Sequence, residues 1–335
     1  MSLKIKCIEY YLPEKVISNN DLALENPDWD VNKIALKTGV LNRHIAESNE
    51  TAFDLSIKAV QKLFDSGQIK KNDIDGIIFC TQSNDYIMPS NSFLIHKYFK
   101  FDERVWSFDY NLACSGYVFG LAISRGFLET KLANNILLIT AETYSKYINP
   151  KDRSTRVLFG DGCSASIVCN EETNDFFDMI LSTSGEKFDT FYIPAGGSRI
   201  PASNLTKVNS NDNSGNVRSL EDIYMNGFAV WQFISMKVSE QIISLLEKND
   251  LTINNIDLFI FHQASKLTLD SLIKMLKIEN DKVYGNIKNI GNTVSSSIPI
   301  LLKDALENGK LKSGDLILIS GFGVGLSWGS IIMKY

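Results

Sequence analysis

The chain has 335 residues, of which 44% are hydrophobic and 22% are charged, as is usual for a globular protein with a large core. Its formal net charge of −5 excludes the basic field that nucleic-acid binding requires. The five cysteines form no CxxC pair, and no apolar run approaches the ~18 residues of a membrane span. We therefore expect a cytoplasmic protein that does not insert into a membrane.

Strand and helix patterns alternate along the chain. The first helix is predicted from Thr51 to Ser66, where Thr51-Ala-Phe-Asp54 resembles a capping box with Asp in place of Glu or Gln. Continuous apolar runs beginning at Ile77 and Ile136 are typical of strands covered on both faces. The later segments are helices at 239–248 and 267–276 and a Ser-, Asn- and Gly-rich loop at 196–219.

This order of elements occurs twice. The matching segments are 69–83 with 251–265, 111–115 with 289–293, 135–142 with 315–322, and 161–169 with 325–333. Cys114 and Asn292 therefore occupy equivalent places. The alternation in two similar halves predicts a layered α/β fold, divided into residues 1–172 and 173–335.

Three side chains form a candidate nucleophilic set. Cys114 lies in Asn111-Leu-Ala-Cys-Ser-Gly-Tyr117, His262 follows an apolar strand pattern, and Asn292 lies in a loop of small residues. A reactive thiol needs polar partners, and a buried helix that begins near Ser115 is expected to lower the pKa of Cys114. The remaining cysteines, Cys7, Cys80, Cys163 and Cys169, are predicted to be inert core residues, and His44 and His96 to be structural or surface residues.

Several motifs resemble those of one enzyme family. They are Thr38-Gly-Val-Leu-Asn-Arg-His-Ile-Ala46, Ala113-Cys-Ser-Gly116, Leu158-Phe-Gly-Asp-Gly162, Phe261-His-Gln-Ala-Ser265, Gly291-Asn-Thr-Val-Ser-Ser-Ser-Ile-Pro299 and Ser327-Trp-Gly-Ser330. Their order and spacing are similar to those of β-ketoacyl-acyl-carrier-protein synthase III, a condensing enzyme. The resemblance covers nearly the whole chain and implies a thiolase-like, five-layered αβαβα fold and a homodimer.

The resemblance also implies roles for the three side chains. Cys114 would take an acyl group from a thioester, and a malonyl-acyl-carrier protein would then lose carbon dioxide and attack that group. His262 and Asn292 would donate hydrogen bonds to the enolate oxygen. The backbone amides of Cys114 and Val324 would form the oxyanion hole, with Phe322 packed beside the cysteine. No metal or cofactor is implied, since thioesters of coenzyme A or of a carrier protein are the substrates.

Around Cys114, His262 and Asn292, some positions match the family pattern and others differ from it. Arg153 and Gly227 match family substrate-binding positions, as does Ala264. Lys37 replaces an arginine beside the nucleotide, and Ser265 replaces an asparagine on the pantetheine arm. Met88 stands where a phenylalanine often reaches across the dimer. These changes favour a specialised paralogue with a different acyl donor.

Three lysines follow His262 on one side of the predicted helix: Lys266, Lys274 and Lys277. They are suited to an acidic carrier protein. A solvated lysine face is an equally good interpretation, and the sequence leaves both open.

Two other functions remain open. An acylated Cys114 could pass its acyl group to a non-malonyl acceptor in secondary metabolism or glycan modification, without releasing carbon dioxide. A non-catalytic partner subunit is disfavoured, because nothing would then require Cys114, His262 and Asn292 together.

Overall fold

The computed structural model describes residues 2–171 and 177–335. The strands are β1 (Ser2–Tyr11), β2 (Val16–Ser18), β3 (Asn42–His44), β4 (Gly76–Cys80), β5 (Trp106–Tyr110), β6 (Asn135–Glu142), β7 (Gly162–Glu171), β8 (Phe177–Thr183), β9 (Phe191–Tyr192), β10 (Ser210–Asn211), β11 (Val217–Arg218), β12 (Tyr224–Met225), β13 (Leu258–Phe261), β14 (Leu316–Gly323) and β15 (Ser327–Lys334).

The α-helices are α1 (Asn19–Glu25), α2 (Val31–Thr38), α3 (Ala52–Asp65), α4 (Asn91–Phe99), α5 (Gly116–Glu129), α6 (Arg153–Arg156), α7 (Gly227–Phe233), α8 (Ser239–Lys248), α9 (Lys266–Leu276), α10 (Ile287–Ile290) and α11 (Ser297–Glu307). Short 3₁₀ segments lie at Lys71–Asp73, Tyr144–Tyr147, Gly185–Thr190, Ile253–Asn255, Asn280–Lys282 and Val294–Ser296. A π-helical turn at Ile234–Val238 joins α7 to α8.

Two mixed sheets have the same strand order, which confirms the repeat. The first runs β1-β7-β6-β4-β5 and the second β8-β15-β14-β13. An isolated parallel bridge between Phe259 and Val283 lies where β5 lies in the first sheet. In both sheets the matching strands keep the same directions, parallel for β4 with β6 and for β13 with β14. The two halves therefore have the same topology.

Three apolar clusters fill the four interfaces between five layers. The outer helices α3 and α4 cover one face of the first sheet with residues such as Leu55 and Ile95. The buried helices α5 and α11 lie between the two sheets, and α8 and α9 cover the far face of the second sheet. This is the predicted five-layered αβαβα arrangement. Since each buried Leu or Ile contributes ~1.5–3 kcal/mol, these interfaces fix both sheets relative to the central helices.

Local sequence signals locate several helices correctly. Thr51 caps α3 and Asp54 accepts from the Thr51 backbone N–H at 2.9 Å, so the capping box forms with Asp. The predicted helices at 239–248 and 267–276 correspond to α8 and α9. The loop at 196–219 includes the short β10–β11 hairpin, which its polar composition did not indicate. The boundary between halves at residues 172 and 173 lies outside the described residues.

Candidate active site

A small cavity lies where the two halves meet. It has a volume of about 100 Å³, and its walls include Cys114, His262, Asn292, Phe322 and Gly323. Cys114 comes from the first half and the other four residues come from the second. The fold therefore brings together the three side chains that the sequence singles out, although they are far apart along the chain.

Glycines allow the backbone to pack tightly around Cys114. A Cβ atom at Gly323 would lie 2.8 Å from the Cβ of Cys114 and 3.0 Å from its Sγ. At Gly116, in the first turn of α5, a Cβ would lie 2.4 Å from the Sγ of Cys80. Real Cβ atoms do not approach so closely, so β14 can pack against Cys114, and α5 against Cys80, only with glycine at these positions.

The thiol of Cys114 is protonated at rest. Cys114 lies just before α5, as predicted, but burial raises the pKa of its thiol and the carboxyl of Glu142 raises it further. The expected lowering of this pKa by the helix is therefore wrong, because loss of solvation outweighs it. The proton must leave as the thiol reacts.

His262 lies one residue beyond β13 and is a neutral imidazole. Its backbone N–H donates to Ser320 at 2.9 Å, which extends the pairing with β14. Burial lowers the pKa of His262 to about 3. Its ring packs edge-on against Phe322, with centroids 5.6 Å apart and planes at 84°.

Ser297 is the hydrogen-bond partner of Nδ1 of His262. The Oγ of Ser297 lies 2.6 Å from Nδ1, and the Gln263 backbone N–H donates to the same Oγ at 3.5 Å. In the tautomer in which Nδ1 accepts from the Ser297 hydroxyl, the neutral ring carries its proton on Nε2, which is then a donor toward the cavity.

Asn292 is held by backbone bonds to the first half. Its N–H donates to the Leu158 carbonyl at 2.9 Å, and its carbonyl accepts from Gly160 at 3.0 Å. Gly160 is required here, because a Cβ would lie 2.5 Å from the Ile290 carbonyl oxygen. This contact explains the glycine of the Leu158-Phe-Gly-Asp-Gly162 motif.

The side chain of Asn292 is oriented by its own loop. Oδ1 accepts from the Val294 N–H at 2.9 Å, which turns Nδ2 toward the cavity. Nδ2 then lies 3.4 Å from Nε2 of His262 and 3.4 Å from the Ala264 carbonyl. In the tautomer that carries its proton on Nε2, two N–H donors face the same space and can share one acceptor there.

The backbone amides of Cys114 and Val324 are the predicted oxyanion-hole donors. Val324 follows Gly323, in the turn between β14 and β15, and packs in the same apolar cluster as Cys114. Within residues 2–171 and 177–335, neither N–H donates to a backbone carbonyl, and the N–H of Cys114 lies beside its own sulfur. Both N–H groups are therefore available to a substrate oxygen.

Known proteins share this sequence and fold. Residues 108–185 match the family model for 3-oxoacyl-[acyl-carrier-protein] synthase III, and residues 246–335 match its C-terminal model. A β-ketoacyl-[acyl-carrier-protein] synthase III from Caldanaerobacter subterraneus subsp. tengcongensis is 38% identical over 97% of this chain and 95% of its own. The chain belongs to the 3-oxoacyl-[acyl-carrier-protein] synthase III family.

Solved structures of this synthase family agree with the fold. A crystal structure of a 3-oxoacyl-(acyl-carrier-protein) synthase III superposes with a TM-score of 0.97 and 39% identity over 99% of both chains. The enzyme from Aquifex aeolicus VF5 gives a TM-score of 0.84 and 31% identity over the full length of both. The thiolase-like fold expected from the sequence is thus confirmed.

The predicted substrate-binding residues divide into two groups. Gly227, Ala264 and Ser265 line the cavity beside Cys114. Lys37 and Arg153 line a separate surface cleft of about 300 Å³, whose wall also includes Asp30. Ser265 has a structural task as well, since its Oγ accepts from Thr268 and caps α9.

Met88 and the three lysines lie away from the cavity within this chain. Met88 is 80% exposed and follows the similarly exposed Tyr86 and Ile87. Lys266, Lys274 and Lys277 are exposed on and just after α9, and Lys266 pairs with Asp270. Their roles at a dimer interface and in carrier-protein docking stay predictions.

Two polar residues next to the site were not recognised as functional from sequence. Ser297 belongs to the motif Gly291–Pro299, whose sequence alone does not show that its hydroxyl contacts His262. Glu142 ends an apolar strand, and only the structure shows that it is fully buried within a network of hydrogen bonds. The signal was the run Ser295-Ser-Ser297, because three adjacent hydroxyls in a buried segment each need a partner.

In the described parts of the chain, no helix combines the length and apolar character needed to cross a membrane. Over the same residues, no cluster of three or more His, Cys, Asp or Glu side chains is arranged to hold a metal ion.

Proposed function

We propose that the protein is an acyltransferase that condenses an acyl thioester with a malonyl thioester, with loss of carbon dioxide. The observation that carries this proposal is one cavity lined by Cys114, His262 and Asn292, in which His262 Nε2 and Asn292 Nδ2 lie 3.4 Å apart. A nucleophile alone would support acylation. The pair His262 and Asn292 supports a second step, because two N–H donors can together stabilise the negatively charged oxygen of an enolate.

In the first half-reaction, the sulfur of Cys114 attacks the carbonyl carbon of the acyl thioester. The new S–C bond forms as the thioester C–S bond breaks, and the thiol proton leaves with the departing carrier thiol. The N–H groups of Cys114 and Val324 stabilise the tetrahedral oxyanion, an effect of ~3–4 kcal/mol per donor. Because burial raises the pKa of the Cys114 thiol, its proton stays on the sulfur until attack and is transferred to the departing sulfur as the thioester C–S bond breaks.

In the second half-reaction, the C–C bond to the malonyl carboxylate breaks and carbon dioxide leaves. The electron pair forms an enolate, whose carbon attacks the acyl group on Cys114 and expels the sulfur. His262 and Asn292 donate to the enolate oxygen. Neither donor depends on pH near neutrality, since an amide does not titrate and the pKa of His262 is lowered to about 3.

The substrates we propose are thioesters of coenzyme A or of an acyl-carrier protein, with no bound metal or cofactor. The cleft with Lys37 and Arg153 supplies cationic side chains for the phosphates of the carrier arm. Lysines 266, 274 and 277 would receive the acidic carrier protein, and the exposed apolar segment at Tyr86–Met88 would lie in a homodimer interface.

The proposal is tested by counting carbon dioxide against product. Purified enzyme receives an acyl thioester and carboxyl-labelled malonyl thioester, and released label and 3-oxoacyl product are measured together. We expect one carbon dioxide per product, and neither with Cys114→Ala beyond background. Acyl transfer to another acceptor without release of label would support the alternative acyltransferase and contradict condensation.

A further inference from the structure

A second polar centre lies directly behind the catalytic cavity. Glu142 ends β6 and has no exposed surface. Both of its oxygens accept from the Gln82 N–H at 3.2 Å, Ser83 Oγ donates to Oε2 at 2.8 Å, and Ser295 Oγ donates to Oε1 at 3.0 Å. The carboxyl thus joins the loop after β4 to the loop that carries Asn292.

Each residue of the serine run 295–297 makes a different hydrogen bond around the site. Ser295 bonds Glu142, Ser296 donates to the Thr140 carbonyl at 2.9 Å, and Ser297 bonds His262. Two of the three serines hold the Asn292 loop to the first half, and the third aims the imidazole from the second half. The positions of both donors relative to Cys114 therefore depend on this segment.

Within residues 2–171 and 177–335, Glu142 has no cationic partner, because no lysine, arginine or histidine there forms an ion pair with it. Burial raises its pKa to about 8, and the buried Asp161 opposes ionisation further. The other titratable groups that it affects are Cys80, Tyr110, Cys114, Tyr144 and Tyr147. All of them are acids, so none compensates a negative charge.

We propose that Glu142 is a positioning residue that acts in its neutral, protonated form, holding the Asn292 loop to the nucleophile half without adding a negative charge to the surroundings of Cys114. As a neutral acid it still accepts from the Gln82 N–H, and the hydroxyls of Ser83 and Ser295 can rotate to accept its proton. If it were ionised, it would oppose formation of the Cys114 thiolate. The effect on condensation rests on the proposed function, whereas the effect on the thiol does not.

Glutamine is the matched substitute, because it has the shape of the protonated acid and cannot ionise. We expect Glu142→Gln to keep the condensation rate at pH 7 within about twofold, whereas Glu142→Ala lowers it about tenfold by releasing Ser295. Ser295→Ala removes one bond with little change in volume. It should slow condensation severalfold while acylation of Cys114 is unchanged.

The protonation state of Glu142 is tested by the rate at which iodoacetamide alkylates Cys114 between pH 6.5 and 9.5. This measurement needs no acyl donor. Wild type and Glu142→Gln should react alike near pH 7. Above about pH 8 the variant should react severalfold faster, because only the wild type gains a negative charge there. Identical profiles throughout, or loss of condensation in Glu142→Gln as severe as in Glu142→Ala, would overturn the proposal.

The stability of the protein gives an independent readout. The folded-state pKa of Glu142 lies above its ordinary value of 4.5. Its contribution to the free energy of unfolding is therefore fully present below pH 4.5 and is lost as the pH rises to about 8. The free energy of unfolding of Glu142→Gln, measured with urea, should therefore rise relative to wild type across this range. A constant difference would show that Glu142 ionises normally in the folded protein.

Discussion

The Cys114 loop and the Asn292 loop occupy equivalent places in the two halves but are held in opposite ways. Each precedes a buried central helix, α5 or α11. Glycine contacts enclose Cys114, and its side chain is free to react. Backbone bonds, the Val294 N–H and the serine run 295–297 fix Asn292. At these equivalent positions, one half thus carries a nucleophile whose side chain must be able to react. The other half carries a hydrogen-bond donor whose side chain must keep a fixed orientation.

The largest expected effect comes from removing the nucleophile. Cys114→Ala should abolish acylation and lower condensation at least about a thousandfold, since Cys114 is the one thiol among the described residues that line the cavity. The free energy of unfolding should change little by comparison. The readouts are acyl-adduct formation by mass spectrometry and product formation. An adduct on another cysteine would refute the assignment.

Removing a donor should affect only the second half-reaction. Asn292→Ala or His262→Ala is expected to slow condensation about 10²–10³-fold, the effect of one lost oxyanion-type donor. Acylation of Cys114 should continue, because its oxyanion is bound by backbone N–H groups. Single-turnover measurement of each step separates the two. Equal loss in both steps would show that the donors also serve acylation.

A side chain added at Gly323 should displace Cys114 without changing any polar group. Gly323→Ala places a Cβ 2.8 Å from that of Cys114, and the resulting shift is expected to slow acylation up to about a hundredfold. Gly126→Ala is the control, because a Cβ there meets nothing within 4 Å and the site is helical. An equal effect at both glycines would contradict the packing argument.

The smallest expected effect is at the serine that aims His262. Ser297→Ala should slow condensation about tenfold, because Nδ1 loses its donor and the proton is no longer fixed on Nε2. Ser124→Ala removes a buried hydroxyl that has no hydrogen-bond partner in the described structure, and should leave both half-reactions unchanged. If Ser297→Ala also retained full activity, another group would be setting the tautomer.

The sequence predicts most of the fold and the identity of the central residues. The internal match between residues 111–115 and 289–293 places Cys114 and Asn292 at equivalent positions of the two halves, and in the structure each precedes a central helix, α5 or α11. The hydrophobic pattern predicts the buried strands because both of their faces are covered.

The remaining features depend on contacts between distant residues. The pKa of Cys114 could not be predicted, because a helix start is visible in sequence and the depth of burial is not. The role of Glu142 depends on Ser295, 153 residues away, and on the lack of a nearby cation. Such networks require the assembled fold.

The most direct test is a pulse and chase followed by intact mass spectrometry. The wild-type protein is first incubated with a panel of acyl-coenzyme A and acyl-carrier-protein thioesters, and malonyl-carrier protein is then added. The account predicts an acyl adduct on Cys114 that disappears as a 3-oxoacyl product of two additional carbons forms. An adduct that persists through the malonyl chase, or no adduct with any donor, would contradict it.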